Sequence, residues 1–151
     1  FLNAIPSIAL APFLIIFLGR NATPTALAML NAFFILYVAT SSALRARAQQ
    51  WSDLFTVLGA GRWTRLRRLD IPAALPTIAS GMRLAAPACL IGVIIGEWFG
   101  SPRGIGVLII NAMQNFQIPL LWSAVLLVVA ISLTLFGLLG ALQRYVADRF
   151  R

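Results

Sequence analysis

"PLLWSAVLLVVAISLTLFGLLGAL", residues 119–142, runs for 24 positions without a charged side chain. A bilayer core about 30 Å thick needs roughly 20 mainly apolar helical residues to cross it, so this stretch reads as a transmembrane helix. Working outward, three more apolar windows stand out: about 2–18, with Pro6 and Pro12 inside it, then 25–43, and 78–99, with Pro87. Proline suits such helices, because neighbouring groups in a membrane bundle re-satisfy the carbonyls it frees. The chain of 151 residues is 60% hydrophobic and 11% charged, with a mean hydropathy of +0.90. That is the composition of a polytopic membrane protein. The expected fold is an all-α transmembrane helix bundle of about four spans, residues 1–151 forming one membrane domain. No fixed-period repeat or low-complexity tract divides it.

Charge sets the expected topology. All twelve basic residues are Arg, against four acids and no His. Arg45, Arg47, Arg62, Arg65, Arg67 and Arg68 fall between spans two and three, and Arg144, Arg149 and Arg151 follow span four. The alternate connections carry only Arg20 and Arg103. The positive-inside rule therefore places the 44–77 loop and the C-terminus in the cytoplasm. Arg83, about one turn into span three, is then close enough to the cytoplasmic face to snorkel. With no His and four scattered acids, neither a metal site nor paired-carboxylate catalysis is expected, and no resident cofactor. The single Cys89 lies in an apolar run and reads as a small packed side chain.

Between spans two and three, Trp51, Leu54, Phe55 and Leu58 recur at i, i+3, i+4 and i+7, the spacing of a short amphipathic helix. Gly59 and Gly61 end it. A second short helix is expected over 62–70, with Pro72 and Pro76 stopping it before span three begins. Basic residues interleaved with aromatics fit an interfacial helix on anionic headgroups, or a docking helix for a cytoplasmic partner. Nucleic acid is excluded, because about 30 residues pinned at both ends to a bilayer make a poor groove reader.

Spacing favours docking. Asp53, Leu54, Phe55, three residues, Gly59, nine residues, then Leu69, Asp70, Ile71 and Pro72 resemble the E-A-A-x-x-x-G…I-x-L-P pattern of permease subunits of bacterial ATP-binding-cassette importers. Asp53 stands for the Glu and Leu54-Phe55 replace the two alanines. "IPSIALAPFLIIFLG" (5–19) and "IGVIIGEWFGSPRGIGVLI" (91–109) resemble segments of the nitrate, sulfonate and taurine type of that family. The resemblance implies a multi-pass inner-membrane permease, not an enzyme, that forms a solute pathway. ATP would be bound by a cytoplasmic ATPase subunit, solute delivered by an extracytoplasmic binding protein, and the permease paired as a homodimer. Trp51, Asp53, Leu54, Phe55, Leu58, Gly59, Leu69, Ile71 and Pro72 would then be the ATPase-coupling residues. The family's N-terminal part, with at least one further span, is expected to precede this chain, which opens without Met. The reading from another class is a membrane-embedded enzyme or sensor whose basic loop binds anionic lipid.

Polar residues at membrane depth supply the remaining candidates. Glu97 is the one acid inside an expected span; it is either bonded to nearby backbone or Arg103, or placed at a gate. Asn31, Thr40, Ser41 and Ser42 would line a path or bond across helices. Gly81 with Ala85, and Gly92 with Gly96, form small-xxx-small pairs that let span three approach another helix closely. In the outer connection Ile105, Leu108, Ile109, Ala112 and Phe116 follow helical spacing, with Asn111 and Gln114 among them as candidate pathway or gate residues. Trp98 and Trp122 fit an interfacial aromatic belt.

Overall fold

A computed structural model of the chain describes residues 7–45, 55, 57, 59 and 61–149. Its helices are α1 (Ser7–Leu18), α2 (Thr23–Arg45), α3 (Arg62–Trp98), α4 (Ile105–Gln114) and α5 (Ile118–Arg149). Helix is the structure that apolar sequence without water demands, since every backbone N–H and C=O must then find a partner within its own segment. Three of these helices, α2, α3 and α5, are long and apolar enough to cross a membrane. The first expected span is present as the 12 residues of α1, shorter than a crossing; positions 2–6 of that window lie outside the described residues.

The bundle is organised around α3. Its most extensive packing is against α2, then α5, with smaller contacts to α4 and α1. The α2–α3 pair is antiparallel: Gly81 faces Ala39 and Leu36, Gly92 faces Leu27 and Ala28, and Gly96 faces Pro24. A Cβ added at Gly92 would stand 2.8 Å from the backbone of Leu27 and Ala28. The small-residue face of α3 is thus consumed within the chain, by contact with α2's backbone. Asn31 crosses the same seam, its Nδ2 donating to the Ala88 carbonyl at 3.3 Å, while the Ser41 hydroxyl turns back to its own helix at Val38.

Span three departs from the expected boundaries. In place of a separate helix over 62–70 stopped by prolines, Arg62–Trp98 is one helix of 37 residues, about 55 Å long. The difference lies in a wide π turn over Leu66–Asp70, where the Ile71 N–H bonds the Leu66 carbonyl five residues back. Pro72 lacks the N–H that an α-helix would aim at Arg68, and its ring crowds that carbonyl. Widening the preceding turn relieves both conflicts, so the helix passes through a sequence that reads as a stop. Pro76 and Pro87 also sit inside it, and Ser80 Oγ donates to the Pro76 carbonyl at 3.0 Å.

Candidate functional site

The antiparallel run of α2, α3 and α5 gathers the basic residues at one end. Arg45 closes α2, Arg62, Arg65, Arg67 and Arg68 occupy the first turns of α3, and Arg144 and Arg149 lie in the last turns of α5. Arg20 and Arg103 lie at the other end, near Trp98 and Trp122. At the basic end Arg67 stacks on the exposed Trp63 ring, 5.2 Å from its centroid. Asp70, inside the π turn, is buried and partnered.

Of the residues assigned to coupling, Trp51, Asp53, Leu54 and Leu58 lie outside the described residues. Phe55 is helical and half-buried; Val57 beside it is helical and exposed. Gly59 is an exposed turn with φ +68°, a left-handed conformation that glycine adopts without the Cβ penalty other residues meet. Leu69, Ile71 and Pro72 are not in a loop at all. They form the base of span three, Leu69 within the π turn and Pro72 directly above it. Only one residue, Gly61, with extended backbone, separates position 60 from the first turn of that helix.

The opposite end of the bundle carries Glu97. Its Oε2 accepts the backbone N–H of Gly106 at 2.6 Å, in the first turn of α4. An ionised acceptor at a helix N-terminus is favoured by the exposed N–H groups and by the helix dipole. Gly104, at φ +148°, leaves the room for this: a Cβ there would overlap the carboxylate. Glu97 is thus bonded to nearby backbone, and it ties the Trp98 end of α3 to α4. Asn111 and Gln114 are both exposed on α4, and the Asn111 carbonyl accepts from Asn115 through both its side chain and its N–H.

Helix α4 stops sooner than its apolar spacing predicts. Phe116 was grouped with the helical stripe, but the helix ends at Gln114 and Phe116 has φ +55°. Gln117 N–H bonds the Ala112 carbonyl at 2.8 Å and Phe116 N–H that of Met113 at 3.3 Å, the paired bonds of a Schellman ending. Glycine usually fills that left-handed position; here an 85% exposed phenylalanine does.

One group was assigned too simple a place by sequence reasoning. Snorkelling toward the cytoplasmic face is expected of Arg83, and the side chain turns to the neighbouring helix instead. Its guanidinium lies across α5, 4.0 Å from the Phe136 ring centroid, with Nη1 donating to Gln143 Oε1 at 3.3 Å. Gly140 makes the slot, since a Cβ there would stand 3.1 Å from Arg83 Nε. A lone Arg at the centre of a span costs about 3 kcal/mol on insertion scales, which is an upper bound for Arg83, one turn from the end of its span. A desolvated cation–π contact returns about 2 kcal/mol, and a hydrogen bond to a charged group about 1.5 kcal/mol or more, so the slot offsets the cost. The signal available in the sequence was Phe136, Gly140 and Gln143 at i, i+4 and i+7 on one face of the last span.

The family model of the binding-protein-dependent transport system inner membrane component matches residues 1–151, and the chain belongs to that family of permeases. A probable ABC transporter permease of Haemophilus influenzae is 37% identical over 146 residues, covering 95% of this chain and 60% of the relative. A formylaminopyrimidine transport permease of Halalkalibacterium halodurans is 33% identical, covering 91% and 54%. A putative aliphatic sulfonates transport permease of Bacillus subtilis is 30% identical, covering 77% and 42%. The chain thus spans between about two fifths and three fifths of the length of these relatives. No solved structure matches it.

Proposed function

We propose that the chain is the part of an ATP-driven importer's permease that receives the stroke of a cytoplasmic ATPase and passes it to the solute pathway. On this reading the basic end, with the 44–77 loop and the C-terminus, faces the cytoplasm, as the clustering of arginines there favours. The helix around Phe55 and Val57 docks in the ATPase, Gly59 makes the turn, and Leu69, Ile71 and Pro72 join the docked element to the pathway. An extracytoplasmic binding protein delivers solute at the Glu97 end, near Asn111 and Gln114, and two permease subunits stand side by side. The ATP site belongs to the partner, the chain lacking a glycine-rich phosphate loop ending in Lys-Ser or Lys-Thr.

The observation that carries the reading is the continuous helix from Arg62 to Trp98, which joins Leu69, Ile71 and Pro72 directly to span three. A lever must be stiff between the point where force enters and the point where it acts. As to solute, the resemblance to the nitrate, sulfonate and taurine type stands beside relatives named for formylaminopyrimidine and aliphatic sulfonates. Selection of the solute then rests with the binding protein, and the permease supplies the gated path.

The test is co-purification of the full-length permease with its ATPase subunit. Gly59→Trp strains the turn and Asp53→Arg reverses the charge at the motif's first position, so each is expected to cut recovered ATPase subunit at least tenfold. Recovery equal to wild type for both variants overturns the coupling assignment and leaves the loop as a lipid-binding surface.

A further inference from the structure

The two seams of α3 are built differently, and the thinner one contains a part-buried guanidinium, that of Arg83. Against α2, Gly92 and Gly96 bring backbone to backbone, and Gly81 admits the Ala39 side chain. Against α5 the packing is less extensive, and its one specific polar tie is Arg83. Among the described residues Arg83 makes no ion pair, and its Nε is buried without a hydrogen-bond partner. All of the partners it does have, Phe136, Gly140 and Gln143, belong to α5. An apolar side chain would suffice to glue the two helices. A guanidinium does something an apolar contact does not: it fixes register, because sliding or rotating α3 along α5 strips a charge of its partners in a medium of low dielectric.

We propose that Arg83 is the positioning residue that makes the last span follow span three when the coupling segment moves. Its place supports this. It lies about 30 Å along the continuous helix from Arg62 and about 20 Å from Trp98, so it is far from either end of the rod. Motion entering at the base passes Arg83 before it reaches the Glu97 contact with α4. With the slot intact, α3 and α5 travel as one body; with it broken, α3 moves and α5 lags. This inference rests on the coupling reading above.

The experiment uses the full-length permease in complex with its ATPase subunit, in lipid, on a background cleared of native cysteines. Spin labels at Leu84 and Leu138, exposed positions on α3 and α5, report the distance between the two helices without nucleotide and with MgATP plus vanadate. In wild type the two distributions are expected to coincide. In Arg83→Gln and in Gly140→Leu, whose side chain fills the slot, nucleotide is expected to shift or broaden the distribution by about 2 Å or more, the scale of helix shifts at packed interfaces. Arg83→Lys, which keeps the charge but not the planar stack, should fall between. A purely structural role would lower thermal stability without making the distance depend on nucleotide. Overlapping distributions for Arg83→Gln and wild type in both states overturn the inference alone. Absence of the ATPase subunit from the purified wild-type complex overturns it together with the coupling reading, and is seen before any variant is compared.

Discussion

Span three is held on one side by shape and on the other by charge. Along α2 the contact is steric: glycines let backbone approach backbone, and the Asn31 side chain reaches across it to a main-chain carbonyl. Along α5 the contact is thinner and centres on Arg83, Phe136, Gly140 and Gln143. In a bilayer the first kind of seam is strong because water-driven hydrophobic attraction is absent and close packing does most of the holding. The second kind is selective, since it tolerates one register and penalises its neighbours. A permease that must keep some helices together while others move has use for both.

The largest effect is expected where the steric seam leaves no room. Gly92→Leu must push α2's backbone away, and overpacking of this kind costs from about 1 to 3 kcal/mol or more. The yield of folded permease in mild detergent, followed by thermal unfolding, should collapse; a normally folded variant would mean that α2 and α3 are not apposed as described. Next comes the charged seam. Arg83→Met removes the cation–π contact and the Gln143 bond but also the cost of a buried charge, so the net loss should be only about 1 kcal/mol. A loss equal to that of Gly92→Leu would show that the α5 seam carries as much of the fold as the α2 seam does.

A similar contrast can be drawn at the Glu97 end of the bundle. Glu97→Ala leaves the first turn of α4 without its acceptor, at a cost of about 1–2 kcal/mol, while Glu97→Gln keeps an acceptor and should lose less than half of that. Hydrogen exchange over 105–109 reads the difference, and equal exchange in both variants and wild type would remove Glu97 as the cap. The smallest effect concerns Phe116. Asn is better suited to its left-handed position, so Phe116→Asn should stabilise the α4–α5 corner by up to about 1 kcal/mol. Destabilisation instead would mean that the exposed ring is held by something outside this chain.

How much of this was legible in the sequence differs between the same regions. Spans two, three and four were readable because an apolar run and its charged flanks are local signals. The glycine face of α3 was readable as a contact surface for the same reason, although its partner was not, because nothing at Gly92 points to Leu27. Pro72 and Pro76 misled, since the penalty of a proline is local while its remedy, the π turn over 66–70, is a choice the backbone makes elsewhere. Phe116 misled in the opposite direction: its apolar side chain fitted the helical stripe, and the bonds that end the helix at Gln114 are backbone bonds. Arg83 is legible as a charge just inside a span, but the slot that receives it is 53 to 60 residues away in the chain.

The central claim is that the segment before span three touches an ATPase, and Val57, helical and exposed beside the Gly59 turn, is the place to ask. A photoactivatable cross-linker at position 57 of the full-length permease, irradiated in membranes, should give one dominant protein adduct containing the ATPase subunit, lost in Gly59→Trp. Adducts to lipid alone, with the ATPase subunit present in the same membranes, would contradict the account.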